Sequence, residues 1–201
     1  MPTFPRTILP IAVTPPALPA ALRSFGETGK QQARTPLLVG RTWEELYPPV
    51  LDTDTVTRAW LAQVQQWFRT GTLVTVEHRS YRTANGPGGG TPLVNGASQT
   101  GNSINTDGWP NSTTVLKAGD LVKLGTLQLV YELTGDATSN GAGQAALAIE
   151  PQIIVGTSPA DNGVVAYGAS VTFAALITNL DLGQSNFGYI DGLRIAFQEQ
   201  P

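Results

Sequence analysis

Two carboxylate pairs and one histidine are the side chains whose types and spacing could do acid–base chemistry. Glu44-Glu45 and Asp52/Asp54 pair carboxylates closely enough for proton transfer, and His78 lies between Glu77 and Arg79. His78 is the only histidine and there is no cysteine, so multi-histidine metal sites, thiolate metal sites and disulfides are excluded. A Ser-His-Asp arrangement would have to use His78, which has no nucleophile-elbow sequence near it. It reads as a strand histidine, satisfied or exposed. Asp52/Asp54 read as helix capping, and Glu44-Glu45 as a solvated strand end.

Other patterns are equally short of chemistry. Gly86-Pro87-Gly88-Gly89-Gly90 lacks the Lys-Ser/Thr that lets a glycine loop hold phosphates, and no helical pattern follows it. It reads as a flexible linker. Asp136 to Asn140 offers scattered oxygen ligands without the spacing of a calcium loop. Of the four tryptophans, Trp60 and Trp67 lie on one helical stripe and read as core, and Trp43 sits in a strand. Trp109 is left as the one plausible ligand platform. We therefore expect no enzyme, no cofactor, and no catalytic, cofactor-binding or metal-ligating residues.

The elements that would position any site are mostly strands. Charged residues are 13% of the chain, about half the usual share, and 22 glycines and 15 prolines punctuate it. Many turns and few charged helices are the pattern of a mainly β protein. At 201 residues with 41% hydrophobic content, the chain can bury a core without staples. Prolines break the apolar N-terminus, no run approaches the length of a membrane span, and a soluble protein without a secretory signal is expected. Net charge is −3, which argues against a generic nucleic-acid binder. Residues 1–82 hold nine Lys/Arg against six Asp/Glu, and 83–201 hold three against nine. That asymmetry could guide contacts between neighbouring copies, although ordinary surface variation is the default reading.

One helix is predicted, about Thr55 to Thr70. Asp52 to Thr55 supply N-cap candidates, and Val56, Trp60, Leu61, Val64, Trp67 and Phe68 form an apolar stripe. Gly71 stands where a left-handed cap residue belongs. Strands are expected at Pro36–Tyr47, at Thr72–Tyr81, at the four short runs Thr113–Leu116, Leu121–Leu124, Leu127–Glu132 and Gln144–Ile149, and twice after Gly168. Thr83–Gln99 and Asp181–Asp191 read as polar loops. The four short strands are expected to form a small barrel or sandwich around Trp109, Leu116, Leu121, Leu129, Tyr131, Leu147 and Ile149. The terminal strands resemble Thr72–Tyr81 more than the middle ones. Residues 1–82 and 169–201 are thus expected to form one β-sandwich domain with the helix, interrupted by an inserted small β domain at 83–168.

The middle of the chain is also familiar. Val94-Asn95-Gly96-Ala97, Gln99-Thr100-Gly101, Gly108-Trp109, Ala118-Gly119-Asp120-Leu121-Val122-Lys123-Leu124-Gly125, Val130-Tyr131 and the run Gly141–Pro151 together resemble a block common in phage and prophage tail proteins of this length. The flanks agree in layout, with a Trp43-Glu44 strand, a Trp-rich helix, a strand, the block, and two closing strands. Such proteins resemble the distal tail protein class of long-tailed phages. That resemblance implies a β-sandwich with one flanking helix that assembles as a ring, usually hexameric, with an extra domain that is sometimes OB-like.

What the resemblance implies for function is structural. The ring would join the tail tube protein to the tail hub and other tip proteins, with genome DNA passing only in transit. It would reside in the virion tail tip after assembly in the host cytoplasm, with no membrane partner. Unpaired strand edges must be completed somewhere, and copies of the same chain can do that. The arm of residues 1–35 is therefore expected to lie on a neighbour. The alternative reading is a virion-associated module whose inserted β domain recognises host-surface carbohydrate through Trp109.

Overall fold

The computed structural model describes residues 1–19, 22–25, 31–34 and 40–200, with 22–25, 31–34 and Asn186 described by their backbone. The chain divides into two compact units, Met1–Val76 with Ala174–Pro201, and Glu77–Phe173. The first unit opens with β1 (Ala12–Val13), β2 (Leu22–Phe25), β3 (Gln31–Arg34), β4 (Thr42–Leu46) and β5 (Val50–Leu51). Helix α1 (Thr55–Thr70) and β6 (Val74–Val76) follow. The second unit holds β7 (Leu93–Val94), β8 (Gly101–Asp107), β9 (Thr114–Leu116), β10 (Leu121–Leu124) and β11 (Val130–Leu133). It continues with β12 (Ala137–Thr138), β13 (Ala145–Ile153) and β14 (Val165–Tyr167). The chain then runs through β15 (Phe173–Asp181), β16 (Gln184–Asn186), β17 (Tyr189–Asp191) and β18 (Arg194–Glu199). The protein is thus mainly β with one α-helix. No helix among the described residues is long and apolar enough to cross a membrane.

The first unit is a five-stranded sheet in the order β1-β4-β18-β15-β6, with α1 beside it. Along β18, Ile195 and Phe197 are buried, and along β4 Trp43 and Glu45 are buried, the period of two that a half-covered sheet demands. Trp43 stacks on Phe197 at 5.3 Å, and Phe4 meets Phe197 edge-on at 5.2 Å. Helix α1 starts where the Asp54 carboxylate accepts the Thr57 N–H at 2.9 Å and ends at Gly71, whose φ is +61°. Its stripe is rotated from the expected one. Thr57, Trp60, Leu61 and Val64 are the buried residues, whereas Val56 and Phe68 are exposed. Val56 and Phe68 obey the helical period equally well, and only the position of the sheet decides which residues face it.

The N-terminal segment belongs to this sheet. Thr75 exchanges hydrogen bonds with Pro2 and Phe4, both at 2.8 Å, in a parallel bridge along β6. Ten residues later β1 pairs with β4, Ala12 opposite Leu46. One segment therefore bridges the β6 margin of the five-stranded sheet and, as β1, is itself the outer strand at the other margin, and Phe4 is buried against Trp60 at 6.3 Å. Residues 1–17 thus pair within their own chain, which corrects the expectation that this part of the arm lies on a neighbour. Prolines there forbid a regular strand but not intermittent pairing. Strands β2 and β3 pair antiparallel, Leu22 opposite Arg34; the rest of the expected arm, and Pro36–Val39 of the expected strand, lie outside the described residues.

The second unit is a six-stranded sheet in the order β14-β10-β11-β13-β8-β7, and it curls until its ends meet. Leu93 bridges Val164, and the Val94 and Val165 N–H groups donate to Gly163 and Pro92 at 2.8 and 2.9 Å. Closure leaves these strands without open margins, the usual answer of a small β domain to unpaired edges. Ile104, Val122, Leu124, Tyr131, Leu147 and Ile149 fill the interior. The seven residues expected as its core are all buried.

Several expected bounds shift. The strand predicted at Thr72–Tyr81 stops at Val76, and Arg79–Tyr81 forms a single 3-10 turn. His78 there packs on Tyr81 at 5.2 Å and Phe173 at 6.4 Å, so Glu77–Arg82 lies with the second unit instead of the first. Strand β8 went unread because Gly101-Asn102-Ser103-Ile104-Asn105 carries little β propensity of its own. Its pairing with β13, Ala146 opposite Asn105 and Leu147 opposite Ile104, holds it in place.

Candidate functional site

The carboxylates singled out by sequence do not converge. Glu44 and Glu45 point to opposite faces of β4, as neighbours in a strand must. Glu44 is half-buried and meets Arg194 at 3.2 Å. Glu45 is completely buried, which corrects the reading of a solvated strand end. Its carboxylate accepts from Arg6 Nη1 at 2.5 Å and Nη2 at 2.9 Å, and from the Tyr47 hydroxyl at 2.6 Å. Burial, and then the negative charge of Glu45, hold the Tyr47 phenol well above its ordinary range. This network ties the N-terminal segment to the sheet and presents no open position to a substrate.

Asp54 caps α1, and its carboxyl is held below the usual value by the backbone N–H of Thr57 and then by the Thr57 hydroxyl. Asp52 accepts from Ser185 Oγ at 3.1 Å. His78 is buried against aromatic rings, away from both carboxylate pairs in sequence and in a different compact unit. Asp136 accepts the Ala118 N–H, and Asn140 accepts from Ala142 and Gln144, so both ends of the Asp136–Asn140 stretch serve local turns. Among the described residues, no three His, Cys, Asp or Glu side chains group as a metal site.

The glycine run is a packed element of the second unit, which corrects its reading as a flexible linker. The Asp120 carboxylate accepts from Asn85, Gly86 and Lys117 N–H groups at 2.6, 3.0 and 2.8 Å. The Tyr167 hydroxyl accepts from Gly89 N–H at 2.8 Å. A Cβ on Gly86 would lie 2.4 Å from Leu116 Cα, and one on Gly90 would lie 2.0 Å from the Gly108 carbonyl oxygen. These glycines let backbone approach backbone, a role that composition alone makes indistinguishable from flexibility.

Trp109 is buried as well. Its indole N–H donates to Thr106 Oγ1 at 2.8 Å, and its ring lies 5.5 Å from that of Tyr167. Stacking a sugar on it would require opening the barrel end, so it is not a ligand platform.

What the sequence reading missed is a hairpin. The expected polar loop Asp181–Asp191 contains β16 and β17, with Asn186 opposite Tyr189 and Phe187-Gly188 at the turn. Strand β17 pairs in turn with β5, and the Asp52 N–H donates to Gly188 O at 2.9 Å. Phe187 has φ +49° and Gly188 φ +86°. Two positive φ values suit a tight hairpin, but a phenylalanine at the first is strained. Phe187 is fully exposed, and Tyr189 and Leu51 beside it are 50% and 44% exposed. The signal available was Phe187 and Tyr189 flanking Gly188, hidden by the polar residues around them.

No family model matches this chain, and no curated protein matches it.

Proposed function

We propose that this chain is a structural subunit of a phage tail tip, which closes with copies of itself into a ring, hexameric in the resembled class. The ring joins the tail tube protein to the hub, and its work is assembly and not catalysis. Two things support the reading. Residues 93–151 resemble the block found in tail proteins, and the first unit carries a strained hairpin whose aromatic tip has no cover among the described residues. A bulky residue at positive φ costs about 1–3 kcal/mol and is retained where the surroundings or function require it. An exposed Phe187 with Tyr189 and Leu51 alongside is the chemistry of a contact between proteins.

The contact surface thus moves from the N-terminal arm, which pairs within its own chain, to the β16–β17 hairpin. The test is the particle mass of purified protein in solution, with two-dimensional averages of the particles, for the natural chain and Phe187→Asp. A closed ring that falls to smaller species in F187D is the expected result. A monomer at every concentration, or a ring indifferent to F187D, would remove the basis of this proposal.

A further inference from the structure

We propose that the second unit carries a binding groove for an uncharged glycan on the outer face of β8 and β13, a site that does not depend on the ring. Asn105 and Ala146 are opposite one another across these strands and face outward, while Ile104 and Leu147 face the barrel interior. Around them lies an open depression of about 390 Å³ whose rim is Asn95, Asn105, Thr138, Asn140 and Gln144.

The walls are held in place. Gln99 turns back to donate to the Asn95, Gly96 and Asn105 carbonyls at 3.0, 3.0 and 3.2 Å, and accepts the Asn105 N–H at 2.7 Å. Gly96 N–H donates to Asp161 at 2.8 Å, and Ser98 holds a φ of +59°. Opposite, Asn140 accepts from Ala142 and Gln144 N–H and donates its own Nδ2 to Gln144 Oε1 at 3.1 Å. That orientation leaves the Gln144 Nε2 group as a donor to the groove. Among the described residues, neither the Asn95 nor the Asn105 carboxamide has a hydrogen-bond partner. The stretches Asn95–Gln99 and Asn140–Gln144, far apart in sequence, therefore meet to build one rim.

The lining decides the ligand class. It has no Lys, Arg, Asp or Glu, so nothing there would recognise a phosphate or carboxylate. It has no aromatic or large aliphatic side chain, so a lipid would gain little. An extended peptide would need an open strand edge, whereas β8 lies between β13 and β7, and β13 between β11 and β8. Carboxamides both donate and accept, as sugar hydroxyls do, and a pair of them can bracket neighbouring hydroxyls. Ala146, exposed opposite Asn105, puts only a methyl group on the floor and leaves space for a sugar ring. Without stacking or charge, an affinity on the order of 1 mM is expected.

The experiment is saturation-transfer difference NMR on the full chain with a glucose trimer, a galactose dimer, an N-acetylglucosamine trimer and rhamnose, and with Asn95→Ala/Asn105→Ala as control. Both substituted side chains lack partners, so the double variant should keep the parent's melting temperature. Saturable transfer to at least one sugar, weakened about tenfold in the double variant, is the expected result. No transfer from any of the four sugars, or transfer equal in parent and variant, overturns the proposal. So does a variant that changes particle mass while leaving sugar binding intact, since the groove would then be a contact between copies.

Discussion

Arg6 grips Glu45 with both terminal nitrogens, across 39 residues of sequence, and the carboxylate it grips has no access to water. The pair joins the proline-rich N-terminal segment to the second strand of the sheet, and Tyr47 closes the network from β4's far end. Trp60 adds to it by donating its indole N–H to the Pro5 carbonyl at 3.0 Å.

Removing Arg6 strands a buried carboxylate, the costly way to break an ion pair. Arg6→Ala should destabilise the first unit by about 3 kcal/mol, toward the low end for buried pairs because the guanidinium is partly exposed. Denaturant unfolding, with hydrogen exchange read separately over residues 1–17 and 42–46, checks this. Deleting residues 1–17 should unfold the first unit rather than merely weaken association. A truncated chain with native exchange over β4 and β6 would contradict the assignment.

Tyr47 should titrate only when the first unit unfolds. Its folded pKa is raised, so the folded state keeps a proton that the unfolded state loses above about pH 10. Stability from this group is full below that pH and falls as pH rises past it. Ultraviolet titration of the natural chain should show the Tyr47 phenol absent from the reversible transition and appearing with unfolding. Tyr47→Phe should abolish that late phenol.

Asp54 works in the opposite direction. Its folded pKa lies below the ordinary 3.8, so its stabilisation of α1 is present above that value and is lost as pH falls through the lower folded one. Asp54→Asn keeps the cap geometry and should flatten this acid dependence; Asp54→Ala should speed exchange in the first turn at neutral pH. Helical circular dichroism against pH, for the three proteins, is the measurement.

Asp120 fastens the glycine run to the barrel. Asp120→Ala leaves the buried N–H of Gly86 and the part-buried N–H groups of Asn85 and Lys117 without their acceptor, a loss of about 3 kcal/mol. Gly86→Ala should be at least as damaging, because the clash is with backbone. Exchange over residues 77–173 reports the loss, and exchange in the first unit should be unchanged in both variants.

Much of this architecture is a local matter and is legible in the sequence. Asp54 and Gly71 bracket a helix because an acceptor at one end and a residue free to adopt positive φ at the other satisfy its orphaned backbone groups. Alternation in Arg194–Glu199 marks a strand, and the Ala118-Gly119-Asp120 turn follows from its residue types. These are decided within a few residues, so the chain states them directly. Facing is another matter. Whether Val56 or Thr57 is buried, whether Glu45 meets water or Arg6, and whether Gly86 bends freely or lets two backbones touch all depend on partners tens of residues away. The same holds for Phe187, whose exposure depends on what β5 and β17 leave uncovered, and for Trp109, whose ring is hidden by Tyr167. Residue type sets what a side chain can do; the tertiary fold alone supplies the neighbours that determine which of those things it does.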